Sequence, residues 1–216
     1  MKRIIILFGA PGCGKGTLGE FLKTELIAQG KYPAEYISYV STGDLLREEI
    51  ASGSELGKEI SAIVQSGGLV SDEIVEKLIA QSLNNLKHGH LMFLDGFPRT
   101  MPQLEALSAM LDKSFHVTTI KRDTDEKVIK ERISKRRVCT DCKHTHIATE
   151  DGKCPKCGGQ VTIRKDDAVI DKRLAEYHAN TEPIWNYMAI ISKTVYTVKN
   201  NFEAVDAAKE FIKKHF

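Results

Sequence analysis

The sequence predicts an α/β fold, a five-stranded parallel sheet covered by helices on both faces. Three observations predict it: short apolar runs alternate with stretches of helical spacing, the first run opens through a glycine-rich loop into a helix, and two segments interrupt the alternation without adding a strand. The first strand is residues 2–8, an apolar run stopped by Gly9, and residues 16–29 follow with Leu18, Phe21, Leu22 and Leu26 at helical spacing. Further strands are expected at 36–40, 90–94, 115–121 and 194–199. Helices are expected at 45–65 with a break near Gly53, at 71–86, 103–110 and 125–136, at 167–188 where Pro183 disturbs the pattern, and at 203–214. Right-handed crossovers between the parallel strands follow from strand twist. The segments 42–71 and 138–165 fit the alternation poorly and read as excursions from the sheet. Most charges of the stretch 121–137 read as a solvated helix face.

A chain of 216 residues is roughly one to one and a half ordinary domains and is long enough to bury a core. Its 42% hydrophobic and 28% charged residues argue against disordered, fibrous and membrane-spanning classes. The apolar run 4–8 ends at Gly9, far short of a spanning helix or a signal-peptide core, so a cytoplasmic protein without a membrane partner is expected. A formal charge of +2 gives no global field to hold a nucleic-acid backbone, so no nucleic-acid partner is expected and any anion site must be local.

The first strand leads into Gly9-Ala10-Pro11-Gly12-Cys13-Gly14-Lys15-Gly16-Thr17, where a helix starts. Such a loop can turn its backbone N–H groups onto phosphate oxygens, with the helix N-terminus adding positive potential and Lys15 reaching the β- and γ-phosphates. Gly16 follows Lys15 where a Ser or Thr often ligates Mg²⁺, and Thr17 comes one position later. Mg²⁺ is therefore expected to be held mainly by phosphates and water, with Asp95 at the end of a strand as an outer-shell partner. Lys15 and the helix terminus would lower the Cys13 thiol, but with no histidine nearby in sequence Cys13 reads as small loop filler.

The segment His90-Leu91-Met92-Phe93-Leu94-Asp95-Gly96-Phe97-Pro98-Arg99 separates hydrolysis from transfer. A water-activating carboxylate is expected after the metal Asp of an ATPase, and here Gly96 and Phe97 stand there instead. Arg99 follows, with Arg47, Arg132, Arg136, Arg137, Arg164 and Arg173 elsewhere. A phosphate-monoester acceptor has its second pKa near 6, so it needs cations and no general base. Planar guanidinium forks suit its oxygens.

Cys139, Cys142, Cys154 and Cys157 form C-x2-C-x11-C-x2-C, with Pro155 and Gly158 shaping the second pair. Four thiolates suit a closed tetrahedral site, so a structural Zn²⁺ is expected, against disulfides or redox chemistry. A segment this poor in apolar side chains cannot fold on burial alone, and a metal makes up the deficit.

These motifs together resemble the nucleoside monophosphate kinase family, and within it the adenylate kinases with a zinc-containing lid. The resemblance rests on residues 9–17, Ser41-Thr42-Gly43-Asp44-Leu45-Leu46-Arg47, residues 68–73, Asp95-Gly96-Phe97-Pro98-Arg99-Thr100 with Gln103, residues 131–137, and Arg164-Lys165-Asp166-Asp167, in the family's order. It implies a P-loop kinase core at 1–41, 73–136 and 166–216, a nucleoside monophosphate-binding insertion at 42–72, and a zinc-binding lid, a zinc ribbon, at 137–165. It further implies that Gly12, Cys13, Gly14, Lys15, Gly16 and Thr17 bind the ATP phosphates, that Arg132 and Arg136 contact ATP, and that Thr145 and His146 lie against it. AMP would be held by Thr42, Arg47, Gly68, Leu69, Val70, Gly96, Phe97, Pro98, Arg99 and Gln103. Arg164 and Arg173 would clamp the phosphoryl groups, with Lys15, Arg99 and Arg132 completing the catalytic set. For Gln103 there is also a direct rationale, since a side-chain amide can pair bidentately with adenine.

The reading is a monomeric phosphotransferase that interconverts Mg·ATP plus AMP with two ADP. Its rivals are a kinase acting on CMP, UMP or GMP, a nucleic-acid-associated ATPase whose cysteine segment docks on DNA or RNA, and a non-catalytic nucleotide sensor.

Overall fold

The computed structural model describes residues 1–66, 70–142, 144–199 and 204–216, apart from the side chains of Lys165, Asp166 and Ala204. In chain order the elements are β1 (Lys2–Phe8), α1 (Lys15–Ala28), β2 (Ile37–Ser41), α2 (Thr42–Ser52), α3 (Glu55–Gln65), α4 (Asp72–Asn85), β3 (Leu91–Asp95) and α5 (Met101–Met110). There follow β4 (Phe115–Arg122), α6 (Glu126–Lys135), β5 (Arg136–Cys139), β6 (Thr145–Ile147), β7 (Val161–Thr162), α7 (Ile170–Glu176), β8 (Thr194–Val198) and α8 (Ala204–His215).

The main sheet has the order β2-β3-β1-β4-β8 and its pairings are all parallel. β1 lies in the middle because it is apolar on both faces. Ile4, Ile6 and Phe8 face a core shared with α4, α5 and α6, while Ile5 and Leu7 pack with Leu18, Leu22 and Leu26 of α1 and Phe211 and Ile212 of α8. That alternation is what a strand between two helical layers requires. The register pairs Leu7 with Asp95 and Ser41 with Asp95, so three strands end level and their following loops converge at one sheet edge. Ligands of open α/β sheets bind at this end, where the chain order switches across β1.

The insertion is built on local signals. Ser41 caps α2 by accepting from the Asp44 N–H, Ser54 caps α3 by accepting from Gly57, and Gly53 ends α2 in the left-handed region, giving the expected break. Two expectations change. The helix foreseen at 167–188 is instead α7, a π-turn at Tyr177–Thr181 and a 3-10 stretch at Glu182–Ile190. Pro183 lacks the N–H that an unbroken α-helix needs. In the cysteine segment, β5, β6 and β7 form a small antiparallel sheet, order β6-β5-β7, and Arg136, foreseen as the last residue of a helix, opens β5.

Candidate active site

The loop after β1 must bend sharply under α6 before α1 begins. Gly12 has φ +80°, and a Cβ there would meet Ile133 Cδ1 at 2.8 Å, so only glycine fits. Lys15 folds back over the loop and donates from Nζ to the carbonyls of Gly9 (2.7 Å) and Ala10 (2.9 Å). Cys13 is fully buried, and burial raises its thiol pKa against the lowering by Lys15, so the lowered thiol expected from sequence is not found and the filler reading stands.

A cavity of about 1250 Å³ opens above this loop. Gly12, Gly14, Lys15, Gly16 and Thr17 line it, as do Arg47 of α2 and Asp95, Gly96, Phe97, Pro98 and Arg99 at and after the end of the adjacent strand β3. Arg122, Arg132, Arg136, Arg164 and Arg173 complete a ring of guanidiniums, and His144, Thr145 and His146 close it from the cysteine segment. Single small-molecule pockets run to roughly 1,000 Å³, so this one has room for two nucleotides.

The wall beyond β3 is tightly wired. Gly96 has φ +84°, and a Cβ there would come within 2.6 Å of Thr42 Oγ1 and 2.8 Å of Arg99 Nη2. Thr42 Oγ1 donates to the Gly96 carbonyl (2.9 Å) and accepts from Arg99 Nη2 (3.2 Å), while Arg99 Nε donates to the same carbonyl (2.7 Å). Gln103 is buried rather than on the surface of α5. Its Oε1 accepts from the Arg99 N–H (2.7 Å) and its Nε2 donates to Asp72 Oδ1 (2.7 Å). Thr100 Oγ1 donates to the other oxygen of Asp72 (2.9 Å). Thus Asp72, at the first turn of α4, fixes which way the Gln103 amide points.

On the far wall, Arg132 Nη1 donates to the Cys13 carbonyl (3.3 Å). Arg136 makes a two-pronged ion pair with Asp167, whose side chain is almost fully buried. His146 Nδ1 lies 2.7 Å from the Ile147 carbonyl, which assigns its proton, and its ring stacks on His144 at 5.8 Å. Arg47 pairs with Asp44. Of the site residues expected from sequence, Cys13, Thr42, Val70 and Gln103 do not line the cavity, while Gly68 and Leu69 lie outside the described residues.

The four cysteines come together as free thiols, their Sγ atoms all within 4.8 Å of one another. Cys139 and Cys157 are 3.5 Å apart, Cys142 and Cys154 3.6 Å, and Cys142 and Cys157 3.3 Å. A tetrahedron of Zn–S bonds has edges of about 3.8 Å, so this donor set fits the ion.

A family model for adenylate kinase matches residues 7–193. The chain belongs to the adenylate kinase family. It is 37% identical over 225 residues to an adenylate kinase of Caldicellulosiruptor saccharolyticus, with 97% of each chain covered. A Caldicellulosiruptor bescii adenylate kinase is 38% identical over 225 residues, again covering 97% of each, and one from Elusimicrobium minutum is 38% identical over 226 residues, covering 98% of this chain and 99% of the relative. Adenylate kinases are phosphotransferases, which agrees with a cavity lined by several arginines.

Within this family fold, sequence reasoning missed three residues. Arg122, in the stretch taken as a solvated helix face, is a buried residue at the end of β4 and lines the cavity. Burial and the neighbouring Arg132 lower its pKa, yet a guanidinium keeps its charge. Asp72 orients Gln103, and Tyr39 reaches Asp95. The available signal was positional for Arg122, which ends β4 on the side where loops converge, whereas Tyr39 is the middle residue of β2.

No helix among the described residues is long and apolar enough to cross a membrane.

Proposed function

We propose that this chain acts as a monomer in the cytoplasm and transfers the terminal phosphoryl group of Mg·ATP to AMP, giving two ADP. The observation that carries it is the one cavity spanning two differently built walls, a glycine loop on one side and the Thr42–Gly96–Arg99 network on the other, with guanidiniums between them. Gly12, Gly14, Lys15, Gly16 and Thr17, with the backbone of Cys13, would hold the ATP phosphates, Lys15 exchanging the Gly9 and Ala10 carbonyls for phosphate oxygens. Arg132, Arg136, Thr145 and His146 would hold the rest of ATP. The AMP side would use Arg47, Gly96, Phe97, Pro98 and Arg99, together with Thr42, Gly68, Leu69 and Val70. Gln103 would read adenine by giving up its bonds to Asp72 and the Arg99 N–H.

The acceptor phosphate is already ionised near neutral pH, so the protein has no proton to remove. Arg99, Arg132, Arg164 and Arg173 would neutralise the charge between the two nucleotides and keep them in line. Asp95 would accept hydrogen bonds from water on a Mg²⁺ ion brought in with ATP, and that ion would supply further charge neutralisation at the phosphates. Cys139, Cys142, Cys154 and Cys157 would hold a structural Zn²⁺ that keeps the lid sheet folded around Thr145 and His146. Closure of that lid would exclude water and assemble the cationic residues only when both nucleotide sites are filled.

The test is a coupled assay with Mg²⁺, ATP and each of AMP, CMP, UMP and GMP. ADP formation should require AMP and be fastest with it. ADP released equally fast without AMP, or stimulated by nucleic acid, overturns the reading.

A further inference from the structure

Phosphate loops that carry Ser or Thr directly after the lysine use that hydroxyl at the Mg²⁺ site. This chain has Gly16 there, and the structure shows another hydroxyl beside the same carboxylate. Tyr39 OH lies 3.2 Å from Asp95 Oδ2, across 56 positions of sequence. Tyr39 sits on β2 in register with Phe93 and stacks on it, ring centroids 5.8 Å apart and 18° from coplanar. That stack aims the phenol along the sheet toward Asp95 at the end of β3.

α1 leaves room for it. A Cβ on Gly19 would meet Tyr39 Cε2 and OH at 2.8 Å, so a side chain at that position would displace the ring. One turn earlier, a Cβ on Gly16 would stand 3.7 Å from Asp95 Oδ2 and 3.9 Å from Tyr39 OH, at ordinary contact distance. Gly16 and Gly19 share one helix face, and together they make the slot through which the phenol reaches the carboxylate. Burial first, and then the negative charge of Asp95, hold the phenol well above its ordinary pKa. It stays protonated and donates to Asp95 Oδ2.

We propose that Tyr39 is a positioning residue for the Mg²⁺ site, its hydroxyl orienting Asp95 in place of the hydroxyl that the loop lacks at Gly16. By donating to Oδ2 it would fix the rotation of the carboxylate beside Gly16. This rests on the proposed role of Asp95. Oriented outer partners of metal sites typically matter by 10- to 100-fold in affinity.

Tyr39→Phe keeps the ring and its stack and removes only the donor. The readout is binding of Mn²⁺ to the protein complexed with a non-transferable ATP analogue, measured from the free Mn²⁺ spin resonance signal, together with the Mg²⁺ dependence of the rate. Metal binding should weaken on the order of tenfold while the KM for AMP stays unchanged. Gly16→Ser in the Tyr39→Phe background should recover most of the loss, because its Oγ would extend from a Cβ 3.7 Å from Asp95 Oδ2. In an Asp95→Asn background, Tyr39→Phe should add nothing. Unchanged Mn²⁺ binding in Tyr39→Phe, with Asp95→Asn clearly weakened, overturns the role of Tyr39 alone. Unchanged binding in Asp95→Asn overturns the assignment of Asp95 beneath it. A lower melting temperature and lower rate with unaltered metal binding reduce Tyr39 to packing and also overturn the proposal.

Discussion

The glycine loop and the cysteine lid face one another across the same cavity but are held in shape by different forces. Behind the loop stands β1, with Ile4 to Phe8 all buried between two helical layers, and the loop's turn is moulded against Ile133. The lid has no such backing. Ile147 and Ile163 are 50% and 59% exposed, and the side chains gathered at its centre are the four cysteines. Hydrophobic burial makes the glycine loop part of the core, whereas the cysteine segment is a small sheet gathered around four thiols. On the proposed reading, the metal-held wall of the site can be loosened without disturbing the wall that would grip phosphate.

The sharpest way to break this comparison is to remove the metal. Chelation, or Cys139→Ser with Cys142→Ser, should open residues 137–165 to proteolysis while far-UV circular dichroism of the core is retained. Because Arg136, Thr145, His146 and Arg164 line the cavity from the lid and its hinge, kcat/KM should fall by at least ~10², the cost of losing even one well-placed donor of charge stabilisation. Metal analysis before and after the loss should give one zinc per chain and then none. A lid that stays protected after chelation would mean that burial holds it after all.

The hinge offers a second, smaller perturbation. Arg136 opens β5 and Asp167 follows the lid, so their two-pronged pair ties the lid's outgoing strand to its return. The carboxylate side chain is 4% exposed and the guanidinium 16%. Asp167→Asn leaves that cation facing a neutral amide. The cost should be about 2 kcal/mol, below the range for fully buried pairs because Arg136 reaches the cavity, and should appear as a melting temperature lower by roughly 4–8 °C. If core and lid unfold separately, the loss should fall on the lid transition and leave the core transition in place.

The same contrast explains what could be read from the amino-acid sequence. Strand β1 and its glycine loop were legible to the residue, because an apolar run and a Gly-rich turn are local signals. The gathering of the four cysteines was legible from spacing, but the strands around them were not, since they are two to four residues long and lack an apolar alternation. The π-turn at Tyr177–Thr181 was hidden for a different reason, because helical spacing does not reveal which hydrogen-bond step the backbone takes. Gln103, Arg122 and Tyr39 owe their places to contacts far apart in sequence: Gln103 to Asp72 across 31 positions, Tyr39 to Asp95 across 56. A polar residue near a strand or helix end carries no local mark that distinguishes burial in a site from solvation.

The smallest expected effect concerns how α6, which leads into the lid, is fastened to the core at its surface. His178 Nδ1 lies 2.6 Å from Glu182 Oε2 and Nε2 lies 2.7 Å from Glu126 Oε1 on α6, so both ring nitrogens face carboxylates and both can donate only when the ring is protonated. Lys121, 3.9 Å from Glu182, is the other charged group in the cluster. The hydrogen bond to Glu182 first, and then that to Glu126, raise the His178 pKa above its ordinary 6.5. A raised folded-state pKa contributes stability that is fully present below the unfolded value and lost as pH climbs through the folded one. The melting temperature of the wild-type chain should therefore exceed that of His178→Gln most near pH 5–6, with the gap narrowing through neutrality and flat at higher pH. His178 is 44% exposed, so solvent screening should keep the gap to about 1–2 °C. A gap that is constant with pH would assign the contact to ring packing against Tyr177, 5.3 Å away, and leave α6 without a charge-dependent anchor here.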